Sequence, residues 1–126
     1  MTRYRAAEHR PLTTEERELR EWLIAHGTSD AANYAPQLAR TTVVSRCTCG
    51  CPSVDLAVDG KHTVGRSEII GDAEGSSPEG LRVGVILHCR EGRLSELEVY
   101  PIDEAKGPFF LPKPEALTSI LEEPQQ

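Results

Sequence analysis

A chain of 126 residues with a net charge of −6 fits a single folded domain and offers no basic face on which to neutralise nucleic-acid phosphates. Its 38% hydrophobic and 27% charged residues supply material for a core and exclude a disordered polyelectrolyte; the acid excess instead complements a basic protein partner. No window approaches the roughly eighteen apolar residues of a membrane span, and MTRYRAAEHRPL lacks the apolar stretch of a signal peptide, so a cytosolic protein with no membrane association is expected.

Residues 1–10 are polar and predict a flexible lead-in, and residues 11–40 read as helical. In PLTTEERELREWLIAHG, Thr13 is placed to cap a helix with Glu16 three positions on, and Gly27 falls where a C-terminal cap belongs. Leu19, Trp22, Leu23 and His26 share one face by helical spacing, a face suited to covering a sheet. A shorter helical stretch from about Asp30 to Arg40 follows, capped by Ser29 or Asp30 and interrupted or ended by Pro36.

From Thr41 the period changes to two. TTVVSRCTC, SVDLAV, GRSEIIGDAEG, LRVGVILHCR and RLSELEVYP read as five consecutive strands over residues 41–101, separated by Gly, Pro, Ser and Asp clusters. This pattern predicts an α+β domain: an antiparallel meander with the N-terminal helices on one face. Residues 102–126 read as an apolar segment between prolines and a short C-terminal helix.

The last two strands fix their own register. Pairing Leu87 with Leu97 and Val85 with Val99 keeps apolar residues on one face, which predicts a three-residue loop from Glu91 to Arg93 in preference to Arg90 opposite Arg93 across a two-residue turn. His88 then lies opposite Glu96 on the polar face, and Cys89 joins Val83, Val85 and Leu87 on the apolar one.

Three of the four cysteines crowd into CTCGC, and in a reducing compartment thiols or metal ligands are expected before disulfides. On a straight strand Cys47 and Cys49 would stand about 6.5–7 Å apart, too far for one zinc ion, so a metal site needs the bend that Gly50 and Pro52 offer. Cys47, Cys49 and Cys51 are then candidate zinc ligands, with His88, Cys89 or His62 arriving from other strands. Three other readings compete: a strained, easily reduced bridge within CGC, a nucleophilic set of Cys49, His88 and Glu96, and plain burial of small soft side chains. No phosphate loop, serine elbow or His-Glu-x-x-His is present, which favours a binding role without a cofactor over catalysis.

Glu68, Asp72, Glu74, Glu96 and Glu98 are expected to form an acidic sheet face able to receive a basic partner or to lie against a second copy of the chain. A His88–Glu96 cross-strand pair is read first as a surface pair.

RPLTTEERELREWLIAHG, CGCPSVDL and REGRLSELEVYPID together resemble a family of small bacterial proteins in which an RPLT-type helix precedes a Cys-Gly-Cys-Pro-Ser turn and a Leu-Ser-x-Leu-Glu-Val-Tyr strand; the resemblance implies no particular activity. The strand at residues 94–100 is also similar to one in bacterial toxin-immunity proteins. That similarity implies a small, acidic, non-catalytic inhibitor that binds a toxin domain.

Overall fold

The computed structural model describes residues 5–121. Strand β1 (Arg5–Pro11) leads into helix α1 (Thr14–Ala25) and a 3-10 segment (Ala31–Arg40), followed by β2 (Thr41–Cys47), β3 (Val54–Val58), β4 (Glu68–Ser76), β5 (Arg82–Arg90) and β6 (Arg93–Pro101). A single 3-10 turn (Pro114–Ala116) and a two-residue strand β7 (Thr118–Ser119) close the described chain. No helix in this stretch is long and apolar enough to cross a membrane.

The α+β class is as expected, with a mixed sheet-and-helix architecture, but the sheet has seven strands in the order β1-β2-β3-β6-β5-β4-β7. It is antiparallel throughout and is not a simple meander. The connection from Asp59 to Ser67 is too long for a hairpin turn, and β3 pairs with β6 instead of β4. The lead-in that reads as flexible forms edge strand β1 from Arg5 onward. Its side chains are held by charge and not by apolar burial: Arg46 Nε lies 2.7 Å from Glu8, and Arg5 Nη2 donates to Glu96 at 2.9 Å. Hydrophobic alternation cannot report such a strand. The closing helix is likewise replaced, within the described residues, by the 3-10 turn and by β7 pairing with β4; residues 122–126 lie outside them.

Helix α1 starts with the expected capping box. Glu16 N–H donates to Thr13 Oγ1 at 3.1 Å, and Thr13 N–H donates to the Glu16 carboxylate at 2.9 Å. Its buried apolar pair is Leu19 and Leu23, whereas Trp22 is half-buried and stacks on exposed His26 with ring centroids 4.1 Å apart. Leu19 and Leu23 pack with Val43, Leu56, Ile70, Val85, Leu87, Cys89, Leu94, Leu97 and Val99 in one core between the helical layer and the sheet.

Gly27 follows the helix for reasons of space. A Cβ there would sit 2.1 Å from the Ile70 carbonyl oxygen and 2.7 Å from that of Leu23, so only glycine lets the helix end close against β4. The next residue completes the junction, Thr28 N–H donating to Ile70 O at 3.0 Å.

The β5–β6 register pairs Leu87 with Leu97, Val85 with Val99 and His88 with Glu96, as expected, yet Arg90 does lie opposite Arg93. The turn is therefore the two residues Glu91 and Gly92, both left-handed (φ 54° and 76°), the mirror-type geometry that suits hairpins. A bulge at Ser95 absorbs the one-residue difference. Arg90 Nη1 donates to Ser95 Oγ at 2.9 Å.

Gly27→Ala should lower stability by about 1–3 kcal/mol, the usual range for overpacking a tight site, in urea unfolding followed by Trp22 fluorescence. An unchanged midpoint would show that the α1–β4 junction is free to open.

Candidate metal centre

Strand β2 leaves the sheet at Cys47, and two sets of bonds hold the turn that follows. On the sheet side, Cys47 N–H donates to Ser53 O at 3.0 Å. Buried Ser53 uses its hydroxyl twice on β6, donating to Val99 O at 3.0 Å and accepting Val99 N–H at 2.8 Å. On the far side, Phe109 N–H donates to Gly50 O at 3.2 Å while the Phe109 ring enters the core. Gly50 has φ 110°, a conformation side chains rarely adopt, and a Cβ there would stand 3.5 Å from the Pro108 backbone.

This bend gathers the sulfurs. Cys47 Sγ and Cys49 Sγ are 2.8 Å apart, and Cys49 Sγ and Cys51 Sγ are 3.2 Å apart. All three lie within 4.8 Å of one another. Thiolates around tetrahedral zinc stand roughly 3.8 Å apart, given Zn–S of about 2.3 Å, so ligation requires the two contacts made by exposed Cys49 to widen. The donor set fits a soft cation.

The sulfurs differ electrostatically. Burial, reinforced by the hydrogen bond to Cys49, pushes the Cys47 thiol up to about 12. At Cys49 burial pulls the same way but is outweighed by bonds from the Cys47 thiol, the Cys51 backbone N–H and the Cys51 thiol, which together lower its pKa. Cys49 thus ionises ahead of Cys47.

The other proposed ligands lie elsewhere. Cys89 is 1% exposed on the helix-covered face, with Tyr34 Oη 3.0 Å from its sulfur, and burial raises its pKa; it packs as a small apolar residue. His62 is held by its Nδ1 contact to Leu56 O at 2.8 Å. His88 is on the open sheet face, so Cys49, His88 and Glu96 are not brought together as a nucleophilic set. Among the described residues the cluster has three ligands and no fourth.

His88, Glu96 and Glu98 form a second group with atoms within 4.8 Å. Although His88 pairs with Glu96 through the backbone, its Nε2 meets Glu98 at 2.7 Å on the diagonal, and its Nδ1 meets Ser67 Oγ. The bond from His88 lowers the Glu98 pKa against the opposing effect of burial. Glu96 is held between Arg5 (2.9 Å) and Arg90 (3.6 Å), cations that oppose a metal ion at that carboxylate.

The predicted acidic face is therefore only partly built. Asp72 and Glu74 share the open face with Glu96 and Glu98, but Glu68 lies opposite Cys89 on the other face. A bulge between Ile69 and Gly71 inverts the alternation at that point. Ser53 and Ser67 carry the anchoring contacts at the two groups, and neither stands out in the sequence, because a lone serine beside a strand has no motif.

In comparisons with known proteins, no family model, curated protein or solved structure matches this chain.

In the metal-free, reduced protein, iodoacetamide near neutral pH should modify Cys49 first and Cys89 last, as read by peptide mass spectrometry over time. Labelling of Cys47 ahead of Cys49 would contradict the charge distribution described above.

Proposed function

We propose that the protein is a small metal-binding domain in which Cys47, Cys49 and Cys51 ligate one soft cation, with zinc the first choice. The observation that carries this reading is the convergence of three sulfurs on a turn tied to β6 at one end and to the Phe109 segment at the other. Ordinary packing of cysteines needs no such convergence. Cys89, buried alone beside Tyr34, shows what that packing looks like in the same molecule.

Ligation requires thiolates, so a cation must displace protons from the cluster, most of all from Cys47, and affinity rises with pH through that range. When bound, the cation cross-links the end of β2 to the turn and contributes folding free energy. Three protein ligands leave one coordination position for an exogenous group, as in sites where zinc is open to solvent or substrate.

A toxin-immunity role through the acidic sheet face has less support. Glu96 and Glu98 already have cationic or imidazole partners within the chain, and a partner's lysines would compete with those contacts.

Cobalt(II) titration of the reduced protein should give an intense sulfur-to-metal charge-transfer band at one equivalent per chain, displaced by zinc. Cys49→Ser should weaken binding by at least the 10–100-fold typical of losing even an outer-shell partner, and Cys89→Ser should leave it unchanged. Absence of the band in fully reduced protein would overturn the assignment.

A further inference from the structure

Beyond the cysteine turn, Pro52 forms one wall of a cavity of about 670 Å³ between the start of α1 and the segment after Phe109. Its apolar surface comes chiefly from Phe110, Leu111, Pro112 and Pro114. The two adjacent phenylalanines have opposite fates: Phe109 is 6% exposed and Phe110 is 70% exposed. The backbone at Phe110 is tethered, its N–H donating to Glu79 at 3.4 Å while its neighbour's N–H donates to Gly50. An exposed ring on a tethered backbone, beside an apolar trough, suits an anchor site for another side chain.

The rim of the trough is acidic. Besides Glu16, the carboxylates of Glu15 and Glu18 from α1 and of Glu115 line it, with Lys113 the lining lysine. Among the described residues none of Glu15, Glu18, Glu115 and Lys113 takes part in an ion pair, in contrast to Glu16, which Arg10 holds at 2.9 Å.

We propose that the trough docks a basic segment of another protein, with one apolar side chain seated against Phe110 and flanking lysines or arginines reaching Glu15, Glu18 and Glu115. Charge selects this occupant. A second copy of the chain brings a net charge of −6 to an acidic rim, and the chain's own residues 122–126 carry Glu122 and Glu123, so both are repelled. The proposal is independent of the metal: the trough's walls come mainly from α1 and the Phe110–Glu115 segment.

The test is an amide NMR titration of the full chain with a short peptide of leucines flanked by lysines, alongside its analogue with glutamates in place of lysines. The expected result is saturable shifts at Phe110, Leu111 and Glu15 with the lysine peptide alone, weakened by added salt. Phe110→Ala, and separately the pair Glu15→Lys with Glu18→Lys, should each raise the dissociation constant about tenfold. These side chains are exposed, and an unchanged melting temperature will show that the variants fold.

Equal binding of the glutamate peptide, shifts spread over the surface, or variants that bind as tightly as the parent would each overturn the proposal. So would a concentration-dependent dimer in sedimentation that Phe110→Ala abolishes, which would assign the trough to a second copy. Shifts that appear only after truncation at Leu121 would assign it to the chain's own end.

Discussion

One buried hydroxyl decides where the sheet stops and the cysteine turn begins. At the end of the β3–β6 ladder the backbone of β3 turns away, and Val99 would be left with an unpaired N–H and C=O in the core. Ser53 Oγ satisfies both, at 2.8 and 3.0 Å. Two unsatisfied buried backbone groups would cost about 1–3 kcal/mol each, so this side chain substitutes for a strand residue and frees the chain to bend. Everything at the thiol cluster follows from that bend. It allows Gly50 its unusual φ, brings the sulfurs together where a straight strand would separate them, and sets Pro52 against the trough.

A second constraint shapes the uncovered face of the sheet. Without a helical layer there, its charged residues are stabilised by one another: Arg5 and Arg90 hold Glu96, and His88 holds Glu98. This network also fixes β1, an edge strand with little apolar surface, to the strands beyond its neighbour. The same pairing that secures the edge ties up Glu96 and Glu98, whereas Glu15 and Glu18 at the start of α1 have no ion pair among the described residues and line a cavity with exposed Phe110.

The parts of this arrangement legible in the sequence are those set by local rules. The Thr13–Glu16 capping box, the facing of Leu87 with Leu97, the burial of Cys89 and the bend at Gly50 all follow from residues a few positions apart. The rest depends on single-residue or long-range events. Bulges at Ser95 and between Ile69 and Gly71 shift the register by one without altering the hydrophobic pattern on either side, so the turn length and the face of Glu68 come out differently. Strand β1 depends on carboxylates far along the chain, and the β3–β6 pairing depends on a loop whose path no periodicity encodes. The role of Ser53 becomes visible only once Val99 is placed beside it.

We propose that the clamped turn holds a cation. Native mass spectrometry of protein purified under reducing conditions without chelator, compared with its denatured mass, tests it most directly. The proposed site predicts one zinc-sized increment per chain that disappears on denaturation and is absent from Cys49→Ser. A native mass equal to that of the bare chain, persisting after incubation with excess zinc, would contradict it.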